Sequence, residues 1–315
     1  MSYIMYSLLI LQATLATAFP FNIFGHERTE AFTPQKRATT NKYMFVFGDS
    51  YSYTGFSWSK TLPSASNPIG NPSFPSTSNT VGGKNLNYVE HLTATYNKSL
   101  LLTYNMAAEG ADVNKTLINP VVSTTDFNQQ TSLWNSNAEN HQKVTGWTAA
   151  NSVYLMWFGI NDVYRGYNTT LGLSDPDTLY QTDMNDLFQL AIHMYQKGAK
   201  NFVFLTVPPI YRTPLVMSLQ NSTKATEDIW NAKLQDFVYR FTISHNVVTS
   251  LINTTDVFNE VLDNPTQYGA PNNTCFNSDG VSCLWWDHFH PGKVIHQKIA
   301  DKIAGAANLT TWFSA

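Results

Sequence analysis

Five apolar runs that stop abruptly at glycine, proline or a polar residue dictate what this chain can fold into. They are YMFVF before Gly48, LLTYNMA from Leu101, SVYLMWFG from Ser152, NFVFLTVPP from Asn201 and VVTSLI from Val247. Continuous apolar runs of this length, lacking strict alternation, read as strands buried on both faces. Helical patterns lie between them. NLNYVEHLTATY, from Asn85, has helical periodicity. Asp177 to Lys197 is the clearest helix: Ser-Asp-Pro precedes it, Leu187, Leu190, Ala191 and Met194 recur at helical spacing, and Gly198 can close it. Further helices are predicted from Thr226 to Ser244, Val257 to Leu262 and Gly292 to Ala304. Strands separated by helices predict a three-layer α/β/α sandwich with a mostly parallel sheet. The Pro/Gly/Ser/Asn-rich stretch TLPSASNPIGNPSFPSTSNTVGG after the first strand predicts an ordered loop. No internal repeat or second linker interrupts the 315 residues, so one domain is expected.

The N-terminus opens MSYIMYSLLILQATLATAFP, an apolar run from Ile4 to Leu11 followed by Ala16-Thr17-Ala18, which reads as a signal peptide over residues 1–18. The run is well short of the ~20 apolar residues a membrane span needs, and no membrane partner is expected. Polar residues 19–37 end at the dibasic pair Lys36-Arg37 and read as a propeptide, leaving residues 38–315 as the single folded domain. An extracellular location follows from this reading. Sequons at Asn97, Asn114, Asn168, Asn221, Asn253, Asn272 and Asn308 agree with it. So do the only two cysteines, Cys275 and Cys283, which an oxidising compartment would pair. Charged residues make up only 13% and the net charge is −3, with no basic run, so nucleic acid is not an expected partner.

Ligands of open parallel sheets bind beyond the carboxyl ends of the strands. Ser50 lies just past the first strand, Gly110 past the second, and Gly159 and Asn161 past the third. Near the C-terminus, WWDHFHPG places Asp287 and His290 three residues apart, a spacing that one helical turn would bring to one side.

Gly-Asp-Ser at 48–50, Gly110, Gly-Ile-Asn-Asp at 159–162 and Asp-His-Phe-His-Pro at 287–291 occur in the order of the SGNH subgroup of GDSL-type esterases and lipases, which the chain resembles. The stretches TLPSASNPIGNP, NKSLLLTYNMAAEGA and FVFLTVPPIYRTP further resemble fungal acetyl esterases of carbohydrate esterase family sixteen. The resemblance implies a flavodoxin-like SGNH hydrolase fold, with Ser50 as nucleophile, His290 as general base and acid, and Asp287 orienting it. It also implies an oxyanion hole of the Ser50 and Gly110 N–H groups and the Asn161 amide. His288 would point elsewhere. The implied enzyme is metal- and cofactor-independent and monomeric. It takes small or oligosaccharide esters and removes acetyl groups from cell-wall carbohydrates such as acetylated xylo- or manno-oligosaccharides. Because the histidine must be neutral to accept a proton, activity is expected to be lost in acid.

Alternatives remain open at this level. Ser50 and Asn161 could each merely cap a helix. Asp287, His288 and His290 could ligate a metal, although no complementary cluster exists elsewhere in the sequence. Asp49, Glu109 or Asp162 could serve a glycosidase. An α/β-hydrolase would show G-x-S-x-G, which is absent. A lipase for longer acyl chains and a non-catalytic carbohydrate-binding protein are the remaining readings. Among the aromatics near the blocks, Tyr51, Tyr53, Phe56, Trp58, Trp157, Phe158, Trp285 and Trp286, about half are expected to be buried, with Trp58 and Trp285 as walls for substrate.

Overall fold

A computed structural model describes residues 41–118, 125–166 and 175–314. The expected leader segments and Asn168 fall outside these residues, as does the side chain of Asn221. Five strands form one sheet: β1 (Lys42–Gly48), β2 (Leu101–Asn105), β3 (Ser152–Trp157), β4 (Asn201–Leu205) and β5 (Val248–Ile252). Their order is β2-β1-β3-β4-β5 and every pairing is parallel. The predicted strands are thus the observed ones, and β1, β2 and β3 are buried along almost their whole length, as continuous apolar runs require.

The eight helices among the described residues are α1 (Tyr88–Ala94), α2 (Lys115–Ile118), α3 (Phe127–Trp134), α4 (Ile160–Gly166), α5 (Pro176–Gln196), α6 (Gln220–Ser244), α7 (Thr254–Asp263) and α8 (Lys293–Ala304). Caps fix several starts. Asn87 and Glu90 form a capping box on α1, Asp126 and Gln129 another on α3, and the Asp175 carboxylate accepts the Thr178 N–H ahead of Pro176 on α5. Helix α8 packs on α1 and α7, while α5 packs on α6 and α3, giving the helical layers of the sandwich. Helix α6 starts at Gln220 rather than Thr226, and Thr223, Thr226 and Trp230 are all buried. The sequence pattern did not indicate α3, which continues as a π-helical turn over Asn135–Glu139. Its core side is a mixture of Phe127, Gln130, Thr131 and Trp134, so no apolar stripe announces it. No helix among the described residues is long and apolar enough to cross a membrane.

The C-terminal segment straps the amino ends of the strands. The Asn308 amide donates to the Thr249 carbonyl at 2.9 Å, the Lys98 N–H to the Trp312 carbonyl at 3.0 Å and the Ser314 N–H to the Tyr96 carbonyl at 2.9 Å. Lys42 reaches the Thr311 carbonyl and lies over the Trp312 ring.

Phe45, at the middle of β1, is fully buried and touches the rings of Tyr104, Trp134, Trp147 and Tyr154 at centroid distances of 5.1 to 6.2 Å. Phe45→Ala should cost about 3–5 kcal/mol in urea unfolding, whereas Tyr239→Ala, on an exposed stretch of α6, should change stability by less than ~0.5 kcal/mol.

Candidate active site

Gly48 closes β1 inside a tight frame. Its N–H donates to Gln130 Oε1 at 3.0 Å, and its carbonyl accepts from Gln130 Nε2 at 2.8 Å and from the Ala108 N–H at 3.1 Å. A Cβ at Gly48 would lie 2.7 Å from Ser52 Oγ and 2.8 Å from the Trp157 carbonyl, so no side chain fits there. The chain then turns over Asp49 to Ser52, with the Asp49 carbonyl accepting the Ser52 N–H at 3.1 Å. The Thr80 hydroxyl donates to the Ser50 carbonyl at 2.6 Å and holds this turn from the long loop. Since α1 begins only at Tyr88, Ser50 has no helix to cap.

The Ser50 hydroxyl lies 2.8 Å from His290 Nε2, and His290 Nδ1 lies 2.8 Å from Asp287 Oδ2. Alcohol, imidazole and carboxylate are therefore in line across 240 residues of sequence. Asp287 and His290 do not share a helical turn. They sit in a tight loop closed by the Trp286 N–H on the His290 carbonyl at 2.9 Å, with Asp287 Oδ1 accepting the Phe289 and His290 N–H groups at 2.7 Å each. That geometry is an Asx turn, a local conformation that short acidic side chains favour. Burial pushes the Asp287 carboxyl up, but the His290 hydrogen bond and charge and these two N–H donors outweigh it and hold the carboxyl at about 2.

The loop that carries Asp287 and His290 is braced from behind. Cys275 and Cys283 form the disulfide, with Cα atoms 5.3 Å apart. The Asn277 N–H donates to the Trp285 carbonyl at 2.9 Å, the Gly292 N–H to the Leu284 carbonyl at 2.7 Å and the Lys293 N–H to the Gly280 carbonyl at 2.9 Å. Tyr51 donates its hydroxyl to the Phe289 carbonyl, tying the serine turn to the histidine loop.

Three donors stand at neighbouring strand ends. Among the described residues, neither the Ser50 nor the Gly110 N–H has an intramolecular acceptor. Gly110 has a φ of +69°, in the left-handed region that glycine enters without cost. Asn161, the second residue of α4, donates from Nδ2 to the Ala111 carbonyl at 3.0 Å, which puts its amide beside the Gly110 turn. Asn161 lies within α4 rather than at the N-cap before it, so it does not cap that helix. Gly159 just before it has a φ of +116°, and a Cβ there would come within 2.3 Å of the Trp230 ring. Close packing against Trp230 and Val207 thus leaves room only for glycine at position 159.

The carboxylates considered for sugar cleavage are arranged for another purpose. Asp49 and Asp162 are buried, and each accepts a backbone N–H at 2.9 Å, from Tyr51 and Val113 respectively. Burial pushes Asp49 up to about 7 and, together with the nearby Asp183 and Asp112, pushes Asp162 well above the usual carboxylate range. Only Glu109 is exposed, and one carboxylate cannot flank a glycosidic bond. Among the described residues no group of three or more His, Cys, Asp or Glu is arranged to hold a metal ion. His288 is exposed, and its ring lies 3.9 Å from that of Phe276.

The two tryptophans expected to wall the substrate do not do so. Trp285 is 0% exposed and gives its indole N–H to the Asn273 carbonyl at 2.8 Å, while Trp58 is 8% exposed and stacks on Tyr104 at 5.2 Å. Both rings were pulled into the core, where large flat side chains bury the most apolar area. Five of the eight aromatics singled out in the sequence, Tyr51, Trp58, Trp157, Phe158 and Trp285, are buried, slightly more than the half expected. The rings at the triad are Tyr51, Trp286 and Phe289, each 5.7 to 5.8 Å from the His290 ring. Phe289 and Gln130 carried no local signal in the sequence. Of the described sequons, Asn253, Asn272 and Asn308 are exposed and Asn97 and Asn114 are half-buried.

Comparison with known proteins agrees with this geometry. Residues 44–303 match the GDSL-like lipase/acylhydrolase family. An acetylesterase of Thermothelomyces thermophilus is 40% identical over 277 residues, covering 85% of this chain and 88% of that protein. Among solved structures, an acetyl xylan esterase from Geobacillus stearothermophilus superposes with a TM-score of 0.50 at 17% identity, covering 83% of this chain and 92% of that one. LAE5, an alpha/beta hydrolase enzyme from the metagenome of Lake Arreo, superposes with a TM-score of 0.52 at 18% identity, covering 86% of this chain and 95% of that one. At such identities the two superpositions speak for the shared fold, and the family match and the closer relative speak for the chemistry. The chain is a carboxylic ester hydrolase and belongs to the GDSL-like lipase/acylhydrolase family.

Proposed function

We propose that this protein is a secreted acetylesterase that removes acetyl groups from plant cell-wall carbohydrates such as acetylated xylo- or manno-oligosaccharides. The observation that carries the chemistry is the continuous line from the Ser50 hydroxyl through the His290 ring to the Asp287 carboxylate, with both contacts at 2.8 Å. His290 Nε2 takes the Ser50 proton as the oxygen attacks the acyl carbonyl, and Asp287 holds the ring with Nδ1 protonated and stabilises the imidazolium. The carbonyl oxygen becomes an oxyanion that receives the N–H groups of Ser50 and Gly110 and the second amide hydrogen of Asn161. His290 then gives its proton to the departing sugar hydroxyl, leaving an acyl-serine. A water activated by the same nitrogen releases acetate.

The acetylesterase relative supports the short acyl group. The leader pattern, the sequons and the Cys275–Cys283 disulfide support secretion. A lipase for longer acyl chains uses the same apparatus, and acyl length separates the two.

Turnover of 4-nitrophenyl acetate by the wild type should disappear in Ser50→Ala, while Asn161→Ala should lower kcat by roughly 10²–10³ with the fold intact. In a series of 4-nitrophenyl esters, kcat/KM should be highest at acetate and fall with chain length; a maximum at long chains would sink the acetyl assignment. Acetate release from a panel of acetylated xylan and mannan fragments identifies the sugar, and inactivity on every member overturns the cell-wall reading.

The Asp287 carboxyl is held at about 2 in the folded state, below its ordinary value of 3.8. A lowered folded-state value stabilises the protein above the ordinary value and loses that contribution as pH falls towards the folded value. The stability difference between wild type and Asp287→Asn, measured by urea unfolding, should therefore be larger at about pH 5 than at about pH 2.5. A constant difference across that interval contradicts the ionised Asp287 of this mechanism.

A further inference from the structure

Three residues of one short helix grip four consecutive residues of the turn after β2. From α4, Asn161 Nδ2 donates to the Ala111 carbonyl at 3.0 Å and Asp162 Oδ1 accepts the Val113 N–H at 2.9 Å. Arg165 Nη1 donates to the Gly110 carbonyl at 2.8 Å and to both oxygens of the Asp112 carboxylate at 2.6 Å. Asp112 is wholly buried and the Arg165 side chain is 18% exposed. The ester mechanism absorbs Asn161 but leaves Arg165 and Asp112 without a role.

We propose that Arg165, anchored by the buried Asp112 carboxylate, is a positioning residue that aims the Gly110 N–H at the oxyanion. This rests on the ester-hydrolase reading above and deepens it.

Gly110 is needed for its positive φ, yet the lack of a Cβ that permits this conformation also permits others. An oxyanion donor is effective only if it is fixed before charge develops, because reorganising it during the reaction costs part of what it supplies. The turn therefore needs restraint from outside. The Ala108 N–H on the Gly48 carbonyl at 3.1 Å and the Ala111 N–H on the Ala108 carbonyl at 3.2 Å secure its start. Its far side is secured by Arg165 on the Gly110 carbonyl and Asn161 on the next carbonyl, residues four apart on one face of α4. A guanidinium suits the task, since the two hydrogens of its Nη1 lie in a fixed plane and can serve a carbonyl and a carboxylate together. The freely rotating ammonium of a lysine has no such fixed plane. Asp112 in turn keeps the guanidinium from swinging out to solvent.

The test compares Arg165→Met and Arg165→Lys with wild type on 4-nitrophenyl acetate, alone and in the Asn161→Ala background. It adds inhibition by phenylboronic acid, whose tetrahedral adduct on Ser50 places an oxygen at the donors, and a thermal melt. A donor displaced from the transition state predicts that Arg165→Met lowers kcat by roughly 10- to 100-fold while KM moves by less than about 3-fold. Boronate affinity should fall by a similar factor, and Arg165→Lys should recover part of both. In the Asn161→Ala background the same substitution should cost much less, because both residues serve one donor set. A folded Arg165→Met enzyme with kcat within about 2-fold of wild type overturns the proposal, as does a kcat loss unmatched by boronate affinity or fully multiplied by Asn161→Ala. Should Arg165→Met not fold, Arg165→Lys and Asp112→Asn are read by the same criteria. Wild-type turnover and its loss in Ser50→Ala are measured alongside: their failure removes the ester reading, whereas their success with an unaffected Arg165 variant removes only the clamp.

Discussion

Placing β1 between β2 and β3 in a wholly parallel sheet is the constraint on which the site depends. The chain moves outward to one side for β2 and to the other side from β3 onward, so a crevice opens where the order reverses. Nucleophile, glycine turn and asparagine amide come from the carboxyl ends of β1, β2 and β3, each arriving at the same level because the strands are in parallel register. Hydrogen-bonded ladders hold the strand ends, and the contacts from α4 hold the Gly110 turn beyond β2. The donors thus need little rearrangement when a substrate oxygen acquires charge.

Much of this was legible in the primary structure, for reasons that differ by element. The five strands were readable because burial on both faces leaves an uninterrupted apolar run, and α5 because its cap, first-turn proline and apolar stripe agree. The triad was identified by likeness to a family, since nothing in the spacing of Ser50 and His290 says that they meet. Helix α3 was missed because Gln130 and Thr131 occupy its buried side. Gln130 faces inward to bracket Gly48, and such a bracket has no local signature. The direction in which a tryptophan points is set by what lies across from it. Trp58 and Trp285 therefore looked like surface candidates, whereas Trp286 and Phe289 line the histidine.

The low charge and the many asparagines of the sequence acquire a physical meaning in the long loop after Ser50. Asn71 takes the Ser57 N–H and gives to the Ser57 and Thr61 carbonyls, and Asn87 and Asn105 give to the carbonyls of Tyr53 and Ser52. A buried amide offers both donor and acceptor without the penalty of burying a charge. The exception is Glu90, whose carboxyl burial pushes up while the Ser76 and Asn87 N–H groups and the Asn79 amide draw it down. A loop otherwise free of regular structure is fixed in this way, and it holds the Ser50 carbonyl through Thr80.

The nucleophile lies near the start of the described residues and its base near their end, while the segment around Asn308 to Ser314 ties together the amino ends of outer and inner strands. A ribosome makes Ser50 240 residues before His290. Until Asp287 and His290 have emerged, the serine has no proton acceptor. The chemistry therefore becomes available only after every strand of the sheet, the last ending at Ile252, has already been made.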